Sequence, residues 1–187
     1  PKPALEGEDS PYSARIFVAL SNTNSLAVLG VGGAGGIQVS ETVNLALSPL
    51  QPAGLTPSAL ALDASRGRVY VACSDENAVA AVDISETLSR LLGYIPVGAY
   101  PTAVRVLEGG RLAVANGGSG TLTLVDEPGA EQLETHSRTV LENSPYRDAR
   151  LEDAGSPSGN PIPAWPGDPT PIRHVVYVVV NDGWSYD

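Results

Sequence analysis

The first two thirds of the chain consist of short apolar runs separated by turn residues. The runs are four to six residues long and include Phe17–Leu20, Tyr70–Cys73 and Ala113–Asn116. The segments between them are rich in Gly, Ser and Asn, as in Gly117–Gly120. Short runs with β-branched residues, bounded by turn signals, predict β-strands. The pattern therefore predicts an all-β fold built from many short strands.

The apolar runs form an internal repeat. One unit comprises Pro57–Asp63, Arg68–Asn77 and Ala78–Asp83, and it returns as Pro101–Val106, Arg111–Asn116 and Gly120–Asp126. The prolines that begin these units, Pro57 and Pro101, are 44 positions apart. An earlier unit, Arg15–Leu29, aligns with Arg68–Val82 at a constant offset of 53, because a longer connection follows it. A fourth run in each unit, such as Tyr94–Val97, is expected to bridge to the next unit.

Four short strands in a period of this length are typical of a β-propeller blade. The repeat resembles the YVTN family of β-propellers, which has a proline-led strand, a Gly-Arg-Val-Tyr-Val-Ala strand and a turn into a Val-Asp strand. Tyr70–Ser74 and Ala113–Asn116 depart from the Tyr-Val-Thr-Asn sequence that names the family. The resemblance covers residues 13–126. It implies a partial β-propeller of about three blades, each a four-stranded antiparallel sheet.

About three blades do not close a ring, because a β-propeller has roughly four to eight. Open apolar sheet faces and edges invite aggregation, so they need a cover. We expect the cover to be further blades of the ring, preceding Pro1, or another protein chain.

The repeat ends after Asp126, and a helical pattern follows. Residues Ala130–Glu142 place Leu133, Val140 and Leu141 on one side, which predicts a short amphipathic helix. A proline-rich stretch comes next and predicts an extended linker. We predict propeller blades over residues 1–126, the helix and linker over 127–171, and the first strand of a following domain over 172–187.

The continuous apolar run Ile172–Val180 predicts that buried strand. With Asn143–Asp148, Pro161–Ala164 and Gly167–Val179, the tail resembles the junction in bacterial proteins that join a YVTN-type propeller to a phosphoesterase domain of the alkaline-phosphatase-like superfamily. Aligning Ser185-Tyr-Asp with that family's Thr-Tyr-Asp puts Asp182 where the family has a metal-binding Glu. Asp182 is therefore the candidate metal ligand, by resemblance only.

A phosphoesterase site needs several metal ligands and a nucleophile, and none of the downstream ones lies within the sequence. We therefore predict no catalytic residue and no cofactor for this chain alone. The resemblance implies a divalent metal only for a full-length phosphoesterase.

Other motifs have simpler explanations. Gly30–Gly35 satisfies G-x-G-x-x-G, but Ile37–Leu47 has the β-branched pattern of a strand and not the helix that a dinucleotide site needs, so we expect a loop. His136 and His174 have no Cys or His partner at metal-binding spacing and are interpreted as surface or packing residues. Cys73 lies in an apolar strand and is interpreted as a small buried side chain.

Asp63, Asp83 and Asp126 recur with the repeat and are interpreted as turn or strand-end groups. The formal net charge of −10 disfavours nucleic acids and anionic lipids as partners. The sequence contains no apolar run of the roughly 18 residues that cross a membrane. The family resemblance implies an extracytoplasmic location, periplasmic or secreted.

Two functions remain open at this point. The first is a non-catalytic binding or scaffold module that is part of a larger chain or complex. The alternative is a fragment of a metal-dependent phosphoesterase whose catalytic domain begins near residue 172.

Overall fold

The computed structural model describes residues 12–32, 35–49, 51–144, 146, 159, 161–162 and 170–176. Within these residues the chain forms ten strands and one α-helix, and the strands make three separate antiparallel sheets. The predicted all-β fold with a short helix is confirmed. The three sheets follow the repeat, and we name them blades 1, 2 and 3 in chain order.

Blade 2 has the four strands that the repeat predicts. They are β4 (Pro57–Asp63), β5 (Arg68–Cys73), β6 (Ala78–Asp83) and β7 (Arg90–Pro96), in that spatial order. A short 3-10 turn joins β5 to β6 and ends at Asn77, which has a left-handed backbone. Residues 94–96 of the run expected to bridge to the next unit lie in β7, the outermost strand of this same sheet, and so do not bridge.

Blade 1 comprises β1 (Tyr12–Leu20), β2 (Ser25–Gly32) and β3 (Ile37–Asn44). The repeat makes β1 and β2 the equivalents of β5 and β6, and β3 takes the outer place of β7. The loop expected at Gly30–Gly35 begins later than predicted, because β2 continues through Gly32. A Cβ at Gly30 would lie 2.4 Å from the Tyr12 ring, so only glycine lets that ring cover the strand.

Blade 3 comprises β8 (Pro101–Val106), β9 (Leu112–Asn116) and β10 (Thr121–Val125). Blades 1 and 3 thus show three strands where four were predicted. The missing strand of blade 1 would pair with the free edge of β1 and would precede Tyr12 in the chain. Residues 1–11 lie outside the described part of the chain. After β10 the chain does not return as a fourth strand, because it enters helix α1 (Ala130–Asn143).

The core lies between the blades. One apolar cluster fills the space between blades 1 and 2, and a second fills the space between blades 2 and 3. The first is built from side chains such as Leu26, Val43, Val69, Val71 and Val82, and the second from side chains such as Tyr70, Val79, Val104, Leu112 and Val114. Blade 2 is therefore buried on both faces, as the middle sheet of a face-to-face stack must be.

Helix α1 covers the outer edge of blade 2. Its buried residues Leu133 and Val140 join the two core clusters, whereas Leu141, which was predicted on the same side, is 38% exposed. The hydroxyl of Ser137 accepts a hydrogen bond from the backbone N–H of Tyr94 in β7 at 2.8 Å. The helix thus protects an edge strand that would otherwise present unpaired backbone groups.

The tail is described only in part. Residues 172–176 have no regular secondary structure and are exposed, while residues 177–187 lie outside the described residues. The predicted strand at 172–180 stays a prediction. Within the described parts of the chain, no helix has the length and apolar character needed to span a membrane.

Candidate interaction surface

Blade 3 presents an apolar face that the structure leaves open to solvent. Side chains alternate between the faces of a strand, so cross-strand partners lie on the same face. Leu122 pairs with Ala115 and Leu124 with Ala113. The open face of blade 3 consists of Ala103, Arg105, Ala113, Ala115, Leu122 and Leu124. Its two leucines are 64% and 56% exposed.

Blade 1 presents a second open face, on the side away from blade 2. Cross-strand pairs join Ile16 to Leu29, Leu29 to Val39 and Val31 to Ile37. The open face of blade 1 consists of Ala14, Ile16, Val18, Leu29, Val31, Ile37, Val39 and Thr42, and Ala27 on the same side is buried. Ile37 and Val39 are about as exposed as the leucines of blade 3. The described arc therefore ends in an apolar face at each end.

The repeat shows what such a face does when it has a neighbour. The equivalents of Leu122 and Leu124 in blade 2 are Val79 and Ala81, and the equivalent of Ala113 is Tyr70. Val79, Ala81 and Tyr70 are buried against blade 3. The same positions of the same sheet are therefore an interface in blade 2 and a free surface in blade 3.

The outer edge of blade 3 is also open. Among the described strands, β10 pairs only with β9, so its other side presents unpaired N–H and C=O groups. The equivalent strand of blade 2, β6, is not an edge strand, because it pairs with β7. Helix α1 packs on β7 in turn. An exposed apolar edge strand is a template for pairing with another chain segment.

Serine hydroxyls fasten each blade to the next. Ser21, after β1, donates a hydrogen bond of 2.6 Å to the carbonyl of Pro57, which begins β4. Ser74, after β5, donates a hydrogen bond of 2.7 Å to the carbonyl of Pro101, which begins β8. Because Ser21 and Ser74 occupy equivalent positions of the repeat, the same hydrogen bond joins blade 1 to blade 2 and blade 2 to blade 3.

Asparagines in the same turns hold the connection between blades. The Asn24 side-chain oxygen accepts hydrogen bonds from the N–H groups of Gly54 and Leu55, at 3.0 and 2.8 Å. The equivalent Asn77 accepts one from the N–H of Tyr100 at 2.8 Å. Thr56 and Tyr100, the residues before the two prolines, both have positive φ. Residues other than glycine rarely adopt this left-handed backbone conformation. The asparagine bonds lie beside this strained turn and stabilise it.

Blade 3 lacks both the serine and the asparagine of this turn. The repeat places Gly117 where blades 1 and 2 have serine, and Gly120 where they have asparagine. We call the serine and asparagine pair the blade clamp. It joins blade 1 to blade 2 and blade 2 to blade 3, and its side chains are missing where blade 3 would join a following blade.

The turn of blade 2 also contains a buried carboxyl group. Glu76 is 6% exposed, and its Oε1 accepts hydrogen bonds from Gln51 Nε2 at 2.8 Å and Ser144 Oγ at 3.1 Å. Its Oε2 is buried without a hydrogen-bond partner among the described residues. Burial, and to a lesser degree the neighbouring Asp75, raise the pKa of Glu76. Glu76 ties the blade 1–2 connection and the end of α1 to blade 2.

The structure confirms the structural roles predicted for the repeated aspartates. Asp63 accepts hydrogen bonds from Ser65 and Arg66 within the β4–β5 turn. Asp83 pairs with Arg68 and Asp126 pairs with Arg111, both at the ends of equivalent hairpins. The pKa of Asp83 lies below its ordinary value because hydrogen bonds from Ser85 and the charge of Arg68 outweigh its partial burial.

The structure places three of the remaining candidates, Cys73, His136 and His174. Cys73 is buried, as predicted, and burial raises the pKa of its thiol to about 12. His136 lies half-buried on α1, and His174 is exposed. No group of three or more His, Cys, Asp or Glu side chains that could hold a metal occurs in the described parts of the chain. Asp182, the metal ligand suggested by resemblance, lies outside them.

The sequence interpretation missed the blade clamp, although a signal for it was present. Serine and asparagine stand three positions apart directly after β1 in blade 1 and directly after the equivalent strand β5 in blade 2. A turn with Ser and Asn is ordinary by itself. Only the repeat alignment, read position by position, shows that blade 3 replaces both residues with glycine.

Comparisons with known proteins support the fold. No protein-family model and no curated protein matches the chain. The chain is similar to a solved structure from Bacteroides fragilis assigned as a 6-phosphogluconolactonase, with a TM-score of 0.52 and 14% identity, over 65% of this chain and 32% of that one. A structure from Bacteroides uniformis with the same assignment gives a TM-score of 0.51 and 15% identity, over 63% and 34%.

At these identities the similarity shows the fold alone, which is propeller-like. This chain spans about a third of the length of each of those proteins.

Proposed function

We propose that the chain is a non-catalytic binding or scaffold module, an arc of a β-propeller that works as part of a larger chain or complex. The observation that carries this proposal is the open face of blade 3. It occupies the positions that blade 2 uses to bind its neighbour, and all of its side chains except that of Arg105 are apolar.

The energetics of the open faces favour a partner. Burying a leucine side chain that is otherwise exposed stabilises a protein by about 2 kcal/mol. Leu122 and Leu124 on blade 3, and Ile37 and Val39 on blade 1, are each more than half exposed. Exposed apolar patches bounded by polar residues mark interaction sites in soluble proteins.

The chemistry of the site favours binding over catalysis. The face of blade 3 carries no nucleophile, carboxylate or imidazole, and its one ionisable group is Arg105. Such a surface offers apolar contact, a strand edge and one positive charge. These are the elements of a protein interface and not of a reaction centre.

Size and dye binding test the proposal together. We expect the protein isolated from cells under native conditions to migrate as a species several times heavier than the 19.3 kDa chain. We expect the isolated chain to bind the apolar dye ANS, and Leu122→Lys with Leu124→Lys to reduce that binding by roughly half, since blade 1 keeps its face. A native species of 19.3 kDa that binds no dye would contradict the proposal. So would turnover of a phosphate ester by the isolated chain with added zinc, manganese or calcium.

A further inference from the structure

We propose that the buried carboxyl group of Glu76 is a pH-operated latch on the C-terminal end of α1. The neutral carboxyl group holds that end against the connection between blades 1 and 2, and the ionised group releases it. The latch consists of Glu76, Gln51 and Ser144. The inference goes beyond the proposed function, because it concerns the segment that follows α1 and does not depend on what binds the open face of blade 3.

Three segments of the chain meet at Glu76. Glu76 lies in the turn between β5 and β6, Gln51 lies in the connection between blades 1 and 2, and Ser144 directly follows α1. The Gln51 amide and the Ser144 hydroxyl donate hydrogen bonds to the same oxygen of Glu76, Oε1, at 2.8 and 3.1 Å. All three residues are buried. The carboxyl group is therefore shielded from water as long as the three segments stay together.

The hydrogen bonds at Glu76 fit the neutral form of its carboxyl group. A neutral carboxyl group has a carbonyl oxygen, which accepts hydrogen bonds, and an O–H group, which donates one. Oε1 accepts both bonds of the latch, whereas Oε2 is buried and has no partner among the described residues. An ionised carboxylate in this place would keep part of its charge buried without a donor, and burying such a charge costs more free energy than burying the neutral acid.

The groups around Glu76 also oppose its ionisation. None of the ion pairs among the described residues includes Glu76. Its ionisable neighbours are Asp75 in the same turn, Cys73 in β5, Tyr94 in β7 and Tyr146 after α1. Burial raises the pKa of the thiol and of both phenols, so these three groups are uncharged at neutral pH. The remaining neighbour, Asp75, raises the pKa of Glu76 further.

The end of α1 is the segment that opens most easily. The connection on the other side is held by three hydrogen bonds of the Asn24 side chain and by the fully buried Leu55. Residues 141–143, at the end of α1, are exposed, and Ser144 is bonded to Glu76 through its hydroxyl. Opening at this end therefore brings water to Glu76 at the smallest loss of buried apolar surface.

The direction of the pH response follows from the burial of Glu76. In the closed state, burial outweighs the bonds from Ser144 and Gln51 and raises the pKa of Glu76, whereas in the open state the group meets water and titrates near its ordinary pKa of 4.5. Opening therefore releases a proton between these two pKa values. The ratio of open to closed chains should rise by up to about tenfold per pH unit in this window and stay constant above it.

NMR on the 187-residue chain tests the latch. The Cδ chemical shift of Glu76 gives its pKa, and hydrogen exchange of the Ser144 N–H, which donates to the Val140 carbonyl at 2.9 Å, reports the opening. We expect the protection of Ser144, relative to an unstructured chain, to fall by up to about tenfold per pH unit from pH 4.5 to the measured pKa. Urea below the unfolding transition should speed exchange at the buried Val71 but not at Ser144, because the opening is local.

Glu76→Gln separates the charge from the hydrogen bonds. Glutamine has the shape of the neutral acid and does not ionise, and its side-chain oxygen accepts both bonds of the latch. We expect Ser144 in this variant to keep its protection from pH 4.5 to about pH 8. Glu131→Gln, on the exposed first turn of α1, is the matched control and should show the same fall as the unsubstituted chain.

Four results would each overturn the latch. The first is a measured pKa of Glu76 at or below 4.5. The second is a protection of Ser144 that does not change with pH, or that falls equally in Glu76→Gln. The third is a fall at Leu47, whose N–H donates to Gln51 Oε1 at 2.6 Å, without a fall at Ser144, because the connection between blades would then open instead. The fourth is that urea speeds exchange at Ser144 and Val71 alike, because the whole chain would then be unfolding.

Discussion

Blades 2 and 3 share a strand pattern and a cross-strand register, yet the same face is buried in one and open in the other. In blade 2, Tyr70 and Val79 are almost fully buried, whereas Leu122, at the position of Val79, is 64% exposed. The alternation of apolar side chains is a property of the strand, but burial depends on the neighbouring sheet. The difference therefore shows that the open face of blade 3 has no neighbouring sheet among the described strands.

The turns of the two blades differ in the same sense. In blade 2 the turn after β5 is buried, with Ser74 and Glu76 both in contact with other segments. In blade 3 the equivalent turn, residues 117–120, is exposed and glycine-rich. The polar side chains of the blade 2 turn hold neighbouring segments, and the equivalent turn of blade 3 has glycine in place of Ser74 and Asn77.

The largest expected effect on stability is the difference between two leucines on neighbouring strands of blade 3. Leu112→Ala should lower the free energy of unfolding by about 3 kcal/mol, because it removes a fully buried side chain and leaves a cavity. Leu122→Ala should lower it by less than about 0.5 kcal/mol in the isolated chain. Urea unfolding followed by circular dichroism measures both. Equal effects would mean that the face of blade 3 is covered within the chain itself.

The blade clamp comes next in size. Asn24→Gly should lower the free energy of unfolding by about 2 kcal/mol, because the Asn24 side chain makes three hydrogen bonds to the blade 1–2 connection. The substitution would also leave the buried N–H of Leu55 without its acceptor. Glycine keeps the left-handed backbone, and the Asn24 and Asn77 variants share the freedom that glycine adds to the unfolded chain, so their difference reports the side-chain bonds. Asn77→Gly loses a single exposed bond and should cost about 1 kcal/mol or less. A smaller loss in Asn24→Gly than in Asn77→Gly would contradict this account.

A pH dependence distinguishes the buried turn from the open one. Because burial raises the pKa of Glu76, the folded chain holds its proton at pH values where the unfolded chain has lost it. The free energy of unfolding should therefore fall as the pH rises from about 4.5 to the raised pKa, and stay lower above it. Glu76→Gln should remove this fall in urea titrations across pH 4 to 8.

Glu131→Gln, on the exposed first turn of α1, is the control for Glu76→Gln and should leave the pH profile as it is in the unsubstituted chain. A Glu76→Gln profile that keeps the full fall would show that another group causes it.

The fold was readable from the sequence because a repeat multiplies a weak signal. One run such as Tyr70–Cys73 does not distinguish a strand from part of a buried helix, but three equivalent runs with equivalent turns do. The helix at Ala130–Asn143 was also predictable, from the spacing of Leu133 and Val140. Leu141 was placed wrongly because the buried stripe of α1, a helix against a single edge strand, is narrower than the apolar pattern.

The open faces could be inferred but not located from the sequence. Leu122 and Val79 look alike in the pattern, and only the neighbouring sheet distinguishes them. The number of strands in blade 3 could not be predicted from the sequence either, because the chain after Val125 can continue the sheet or leave it. In the structure it leaves the sheet and forms α1, which packs on β7. The clamp depends on contacts between residues about 30 positions apart, such as Asn24 with Leu55, which periodicity does not encode.

The smallest expected effect tests whether blade 3 really has no connection to hold. Gly120→Asn restores the clamp asparagine at a position with a left-handed backbone, which asparagine tolerates, and with no heavy atom close to the added Cβ. In blades 1 and 2 that asparagine finds backbone donors, but after blade 3 the chain leads to α1 instead. We expect a change in the free energy of unfolding within about 0.5 kcal/mol, in the isolated chain and in the native assembly alike. Stabilisation of the assembly by 1 kcal/mol or more would mean that a connection of the ordinary kind passes this turn.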